Sequence, residues 1–280
     1  MQLYLINTAF FSCEGGAMFG VVPQRIWQKR YPSVDGLCPM HLHSLLIKHK
    51  GRKILIDTGV GDKEAHKLKS YGFSGVTHLR HYLPQIGIQP EEITDVVLTH
   101  LHFDHCGGCT FRHERELKIS FPNATHWVSR SQLGYAQTPH ILDRDAYHSD
   151  HFIPLMQSGL LKPIDGDTFL TDEVELKLFD GHTFGQIVVS VQSESQSICF
   201  AGDVIPTMAH LSEAWISAYD LQPMVSVESK IDLLNQIYDK KQILITSHDA
   251  YIPAATLRKA GNIFKTDKQF SVSWQQISPV

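Results

Sequence analysis

The sequence is poor in the features that mark secreted, membrane-spanning or nucleic-acid-binding proteins. Its five cysteines are odd in number and irregularly spaced, so a disulfide framework is not expected. No apolar run approaches the roughly 20 residues needed to span a bilayer. The opening stretch MQLYLINTAFFSCEGG has no basic residue ahead of its apolar part, unlike a secretory leader. Positive charge is also scarce, with 25 Lys and Arg against 29 Asp and Glu for a net charge of −4. The densest basic stretch, Lys63 to Lys69, contains Glu64 and reads as a solvated helix face, so no nucleic-acid partner is expected. These absences predict a cytoplasmic protein with no membrane partner. Low-complexity linkers and short repeats are lacking too. A chain of 280 residues, 42% hydrophobic and 19% charged, then reads as one globular domain, 1–280, with a sizeable core.

What the sequence has in excess is histidine, 17 in all, and imidazole is a common metal ligand. Residues 98–108, LTHLHFDHCGG, place His100, His102, Asp104 and His105 within six positions directly after an apolar run. Strands are expected at 3–8, 42–49, 52–59, 93–100, 124–129, 172–182, 186–192, 196–204 and 241–249, with a turn at Lys50-Gly51. Helical spacing occupies 62–86, broken by Gly72 and Gly75 and ending before Gly87. It recurs near 145–158 and over 226–240, where Ser226 is the expected N-cap. The strands form two batches with helices between, which predicts two sheets face to face with helices outside. VLTH, FDGH, FAGD and LITSH each put a His or Asp where an apolar strand stops, and strand-end loops are where a rigid scaffold presents chemistry.

In extended backbone His100, His102 and Asp104 share one side, and Gly107-Gly108 let a tight loop fold around what they bind. One ion needs fewer ligands than this cluster and its distant partners supply. Two ions a few ångströms apart would use them, with a bridging hydroxide as a nucleophile near neutral pH. Lone histidines such as His41, His43, His49, His126 and His151 read as structural residues. Cys106 and Cys109 read as small residues packed behind the ligands.

The H-x-H-x-D-H motif resembles the signature of the metallo-β-lactamase superfamily. Further motifs follow in order: IDTG at 56–59, GHTFGQ at 181–186, AGD at 201–203 and SHD at 247–249. The resemblance covers nearly the whole chain and implies an α/β (α+β) fold, a four-layer αββα sandwich. It assigns His100, His102 and His182 to one metal, and Asp104, His105 and His248 to a second, with Asp203 shared. Asp57 is then a hydrogen-bond acceptor beneath the site. Imidazole and carboxylate ligands without thiolate suit two Zn²⁺ ions, and also Fe or Mn.

Segments outside the motifs, at 16–27, 119–130, 151–167 and 201–223, look like the branch containing N-acyl-homoserine lactonases and methyl parathion hydrolase. This implies a hydrolase that opens lactones by attack of the bridging hydroxide, with organophosphate hydrolase, esterase or thioesterase as the alternative and a non-catalytic metal-binding protein as the non-enzyme alternative. Catalytic work falls to Asp104 and Asp203. The branch's common tyrosine after the bridging aspartate is replaced here by Val204, Ile205 and Pro206. Met18, Phe19 and Trp27 offer an apolar loop that either lines an acyl-chain pocket, covers the core or meets a second copy in a homodimer. His210 and Tyr219 are candidate hydrogen-bond donors to the small-molecule ester substrate. The glyoxalase II-like alternative is disfavoured because the tail after His248 shows no substrate-binding helices.

Overall fold

The computed structural model describes residues 1–194, 197–273 and 276–279. The chain divides into two compact units, each made of separate segments: Met1–Phe10 with Leu42–Gly166, and Phe11–His41 with Asp167–Val280.

The first unit is organised by a six-stranded sheet in the order β1-β2-β3-β4-β7-β8. Its strands are β1 (Gln2–Glu14), β2 (Leu37–His49), β3 (Arg52–Ile56), β4 (Asp95–Val97), β7 (Thr125–Ser129) and β8 (Leu161–Ile164). A separate hairpin, β5 (Thr110–His113) with β6 (Glu116–Ile119), follows the histidine cluster. The turn expected at Lys50-Gly51 joins β2 to β3, with His49 opposite Arg52. Both turn residues have positive φ, 47° and 80°, the two-residue geometry that matches strand twist. Strands β3, β4, β7 and β8 run parallel, and β4 is buried throughout, as a parallel sheet covered on both faces requires. Its one carboxylate, Asp95, is neutralised by Arg52 and accepts a hydrogen bond from Trp127 Nε1 at 2.9 Å. Leu46, Leu55, Val96, Leu98, Phe121 and Phe152 build the core.

The second unit holds an eight-stranded sheet in the order β16-β15-β14-β13-β12-β11-β10-β9. In chain order these are β9 (Thr168–Thr171), β10 (Val174–Phe179), β11 (Gln186–Gln192), β12 (Ser197–Phe200), β13 (Ile243–Ile245), β14 (Ala254–Ala260), β15 (Ile263–Ser273) and β16 (Gln276–Pro279). Only β12 and β13 pair in parallel among the described pairings of this sheet. Between them runs the helix Pro223–Asp239, which buries Leu233, Leu234 and Ile237. The tail after His248 is thus three strands rather than helices.

Several sequence expectations shift. The helix expected at 226–240 begins at Pro223, after Gln222. Proline at the first helical position loses no bond that the helix would have made. Ser226 therefore lies inside the helix and is buried, against Gly181, where a Cβ would come within 2.6 Å of Ser226 Cα. The 62–86 stretch resolves into short turns of helix at Ala65–Ser70 and Leu79–Tyr82 and a 3₁₀ turn at Leu83–Ile86, closed by Gly87 at φ 77°. Strand β4 ends at Val97, and Phe103–Cys106 is helical, so the expected strand parity stops before Asp104. Among the described helices none is long and apolar enough to cross a membrane.

Gly107 and Gly108 serve close approach rather than unusual backbone angles. A Cβ on Gly107 would lie 2.1 Å from the Val60 carbonyl oxygen, and one on Gly108 2.3 Å from that of Thr58. Backbone has nowhere to go, so Gly107→Ala is expected to cost about 2–3 kcal/mol in chemical denaturation. Gly134, inside the helix Arg130–Gln137, meets nothing within 4 Å. There alanine should instead stabilise by about 0.5–1 kcal/mol.

His126 in β7 is fully buried with Nδ1 3.1 Å from the Ala124 carbonyl, as expected of a structural histidine. Burial pushes it down to about 4. The unfolded state then binds the extra proton first, so stability is full above the ordinary histidine range and falls as pH drops from about 6.5 towards 4. A His126→Gln variant should show a flatter urea-midpoint profile across that window.

Candidate metal centre

In the first unit the ligand candidates sit on the loop that leaves β4. His100 is completely buried, and its Nδ1 lies 3.0 Å from Thr99 Oγ1. Its Nε2 lies 3.0 Å from His102 Nδ1. His102 precedes the helical turn Phe103–Cys106, and its Nε2 lies 4.0 Å from Asp143 Oδ2. That turn brings Asp104 Oδ2 to 3.5 Å from His105 Nε2, while His105 Nδ1 is 2.8 Å from Asp57 Oδ2.

Asp57 fixes this half. It follows β3 with a φ of 54°, a left-handed conformation that L-residues hold only where surroundings over-determine it. Its Oδ1 accepts from the Thr99 backbone N–H and its Oδ2 from Thr99 Oγ1, both at 2.8 Å. Burial pushes its carboxyl above the usual range, opposed by His105 and the Thr99 hydrogen bonds. Asp143 is placed alongside His102 by Tyr135, whose hydroxyl donates to Oδ1 at 2.8 Å. Burial would raise the Asp143 carboxyl, yet the nearby His102 imidazole and the hydrogen bond from Tyr135 hold it below its ordinary value. Cys106 and Cys109 are fully buried free thiols behind the loop, as expected.

In the second unit, three strand ends carry the remaining candidates. His182 follows β10, with Nδ1 3.0 Å from Asp220 Oδ1 and Nε2 3.5 Å from Asp203 Oδ2. Asp203 lies in the 3₁₀ turn Gly202–Val204 after β12, and Ser247 Oγ donates to its Oδ1 at 2.7 Å. His248 follows β13, with Nε2 3.0 Å from Asp203 Oδ1 and Nδ1 3.1 Å from the His41 carbonyl oxygen.

Each of the five histidines thus has one ring nitrogen beside an orienting oxygen and the other beside a carboxylate or another imidazole. The orienting group fixes which nitrogen carries the proton and leaves the second as a lone-pair donor. The donors are nitrogen and oxygen only, which fits borderline and hard divalent cations.

The orienting groups Thr99, Asp143, Asp220 and Ser247 and the His41 carbonyl were not singled out from sequence. No motif spacing marks Asp143 or Asp220; each reaches its histidine only through tertiary folding.

The candidate substrate contacts fare differently. Met18, Phe19 and Trp27 are 5%, 0% and 2% exposed and pack with Tyr31, Met40 and Trp215. The apolar loop covers the core of the second unit rather than lining a pocket. The physical reason is aromatic stacking, with Phe19 5.3 Å from Trp27 and 5.2 Å from His210. His210 is buried, with Nδ1 2.8 Å from Thr207 Oγ1 and Nε2 3.0 Å from the Met18 carbonyl. Both nitrogens are thereby engaged, and burial with Lys230 nearby pushes it down to about 4. It packs as a core histidine with both ring nitrogens on protein oxygens. Tyr219 is half-exposed, its hydroxyl 3.5 Å from Cys13 Sγ.

Comparison with known proteins decides the family. The model of the metallo-beta-lactamase superfamily matches residues 41–248. The chain belongs to that superfamily. It has the superfamily's fold, α+β with mixed sheets and helices, and is a metallohydrolase with candidate His/Asp metal sites. An N-acyl homoserine lactonase from Bacillus thuringiensis is 23% identical over 217 residues, covering 73% of this chain and 79% of that protein. The crystal structure of a probable metal-dependent hydrolase from Staphylococcus aureus superposes with a TM-score of 0.84 at 24% identity, covering 99% of this chain and 95% of that one. A dizinc quorum-quenching lactonase solved with its product gives 0.75 at 22% identity, covering 95% and 93%.

If Asp220 orients His182, Asp220→Asn should weaken metal affinity about 10- to 100-fold with the fold intact. Chelator competition followed by metal analysis measures this; unchanged affinity would remove Asp220 from the site.

Proposed function

We propose that the protein is a lactonase that opens small-molecule lactones such as N-acyl-homoserine lactones. His100, His102 and His182 would hold one divalent cation and Asp104, His105 and His248 a second, with Asp203 shared. Because neither compact unit contains all seven residues, the working domain on this reading is the whole chain, 1–280. The observation that carries it is the paired tethering of all five histidines, each with one nitrogen beside an orienting oxygen and the other beside a carboxylate or a second imidazole.

Bound divalent ions supply a nucleophile at neutral pH and polarise the ester carbonyl. The chain's own residues set the conditions. Asp57, Asp143 and Asp220 hold imidazole tautomers, and Ser247 holds the Asp203 carboxylate. Asp104, whose side chain is 17% exposed, is the carboxylate proposed to take at Oδ2 the proton lost by the attacking water and pass it to the departing alkoxide. The Bacillus thuringiensis and dizinc lactonases support this substrate class and zinc as the metal. Lactone opening and phosphotriester cleavage need the same machinery, so the pocket decides between them. With Met18, Phe19, Trp27 and His210 in the core, acyl-chain selection must fall to other residues.

The test is kcat/KM for metal-quantified protein against an acyl-homoserine lactone series and against paraoxon. Efficient lactone turnover is expected, with Asp203→Ala lowering it by roughly a thousandfold, equivalent to about 4 kcal/mol of barrier. Turnover of paraoxon but of no lactone would overturn the substrate assignment while leaving the hydrolytic centre.

A further inference from the structure

Another group of metal-type donors, entirely within the first unit, is left unused by the hydrolytic reading. Glu64, His148 and His151 each bring a ligand atom within 4.8 Å of the other two. His148 precedes the helix Ser149–Gln157 yet makes no side-chain cap to it. Instead its Nδ1 lies 2.8 Å from Glu64 Oε1 and its Nε2 3.1 Å from the Asp145 carbonyl oxygen. A neutral imidazole has one proton and cannot donate to both acceptors. With Nε2–H on the carbonyl, Nδ1 turns a lone pair towards a carboxylate. Either an imidazolium proton or a cation between the two resolves that contact, and with a cation the backbone carbonyl is the orienting acceptor that metal-binding histidines commonly have.

His151 adds an independent observation. It is 2% exposed, its Nε2 has no hydrogen-bond partner, and its ring stacks on His148 with centroids 5.1 Å apart. Nδ1 has only the Cys106 sulfur at 3.9 Å. Burial first, then the Lys63 ammonium, hold the imidazole neutral, which is the ligand form. A cavity of about 520 Å³ adjoins the group, lined by Glu64, His148, Asp145 and Asp150 among others, and gives water access to the remaining coordination positions.

Charge is the main objection. Lys67 lies 3.7 Å from the other Glu64 oxygen, and Lys63 is close. The Lys63 ammonium is held by the carbonyls of Gly107 and Thr110, and the Asp145 and Asp150 carboxylates line the same cavity, each with an arginine beside it.

We propose that Glu64, His148 and His151 bind a zinc-type divalent cation that pins the segment around Glu64 to the helix Ser149–Gln157. This site is separate from the hydrolytic residues. The test counts zinc per chain in zinc-loaded, gel-filtered wild type, Glu64→Gln and His148→Gln, with near-UV circular dichroism confirming the fold. Each variant should lose one equivalent relative to wild type, and zinc should raise Tm more in wild type than in either variant. His182→Ala, which touches only the hydrolytic set, should keep that equivalent. Equal zinc counts in wild type and a folded Glu64→Gln or His148→Gln protein would overturn the proposal. Failure of the dinuclear reading would lower all counts together and leave the difference of one.

Discussion

A carboxylate at 1% exposure is costly to desolvate unless its lone pairs are used, and Asp57 uses them on Thr99 and His105. Those bonds hold two segments more than 40 residues apart in sequence in fixed register. They also hold Asp57 itself in left-handed backbone, so geometry at one end of β3 is coupled to geometry at one end of β4. Were the carboxylate removed, Thr99 would lose its backbone acceptor and His105 its orienting partner together. The candidate ligands His100 and His105 therefore rest on one hydrogen-bonded acid.

The same logic repeats with different chemistry in each imidazole. A hydroxyl orients His100, carboxylates orient His102, His105 and His182, and a backbone carbonyl orients His248. A charged acceptor strengthens the donating nitrogen's bond and makes the opposite nitrogen a better ligand. Graded acceptors thus set graded basicity among the candidate ligand imidazoles. Close backbone packing supports this arrangement: the Val60 and Thr58 carbonyls press on Gly107 and Gly108, so the loop behind His105 has no room to relax.

Burial sorts the remaining histidines and aromatics. His126 and His210 are both held neutral by desolvation with their nitrogens against local oxygen acceptors or buried, which makes them part of the core. Phe19, Trp27 and Trp215 surround His210 with ring contacts, a use of aromatic area that a sequence pattern cannot tell from a ligand pocket. His151 differs in that neither ring nitrogen has an oxygen acceptor: its Nε2 has no partner and its Nδ1 only the Cys106 sulfur at 3.9 Å.

The chain itself carries the ordered set of candidate ligands, because metal chemistry dictates residue types and the H-x-H-x-D-H, GH, AGD and SH motifs keep them local to strand ends. It also determined most central strands, since period-two burial and turn residues such as Lys50-Gly51 are short-range properties. Helix starts drifted by three residues because Pro223, not Ser226, satisfied the first turn. The edge strands β8, β9 and β16 and the inner strands β14 and β15 carry little continuous apolar signal and are not legible in the sequence. Only the tertiary structure decided which oxygens orient the histidines: Asp143 lies 41 residues from His102 and Asp220 lies 38 residues from His182. It also decided that Met18, Phe19, Trp27 and His210 are core. Both outcomes depend on which surfaces meet after folding, and apolar or acidic side chains carry no local mark of their eventual neighbours.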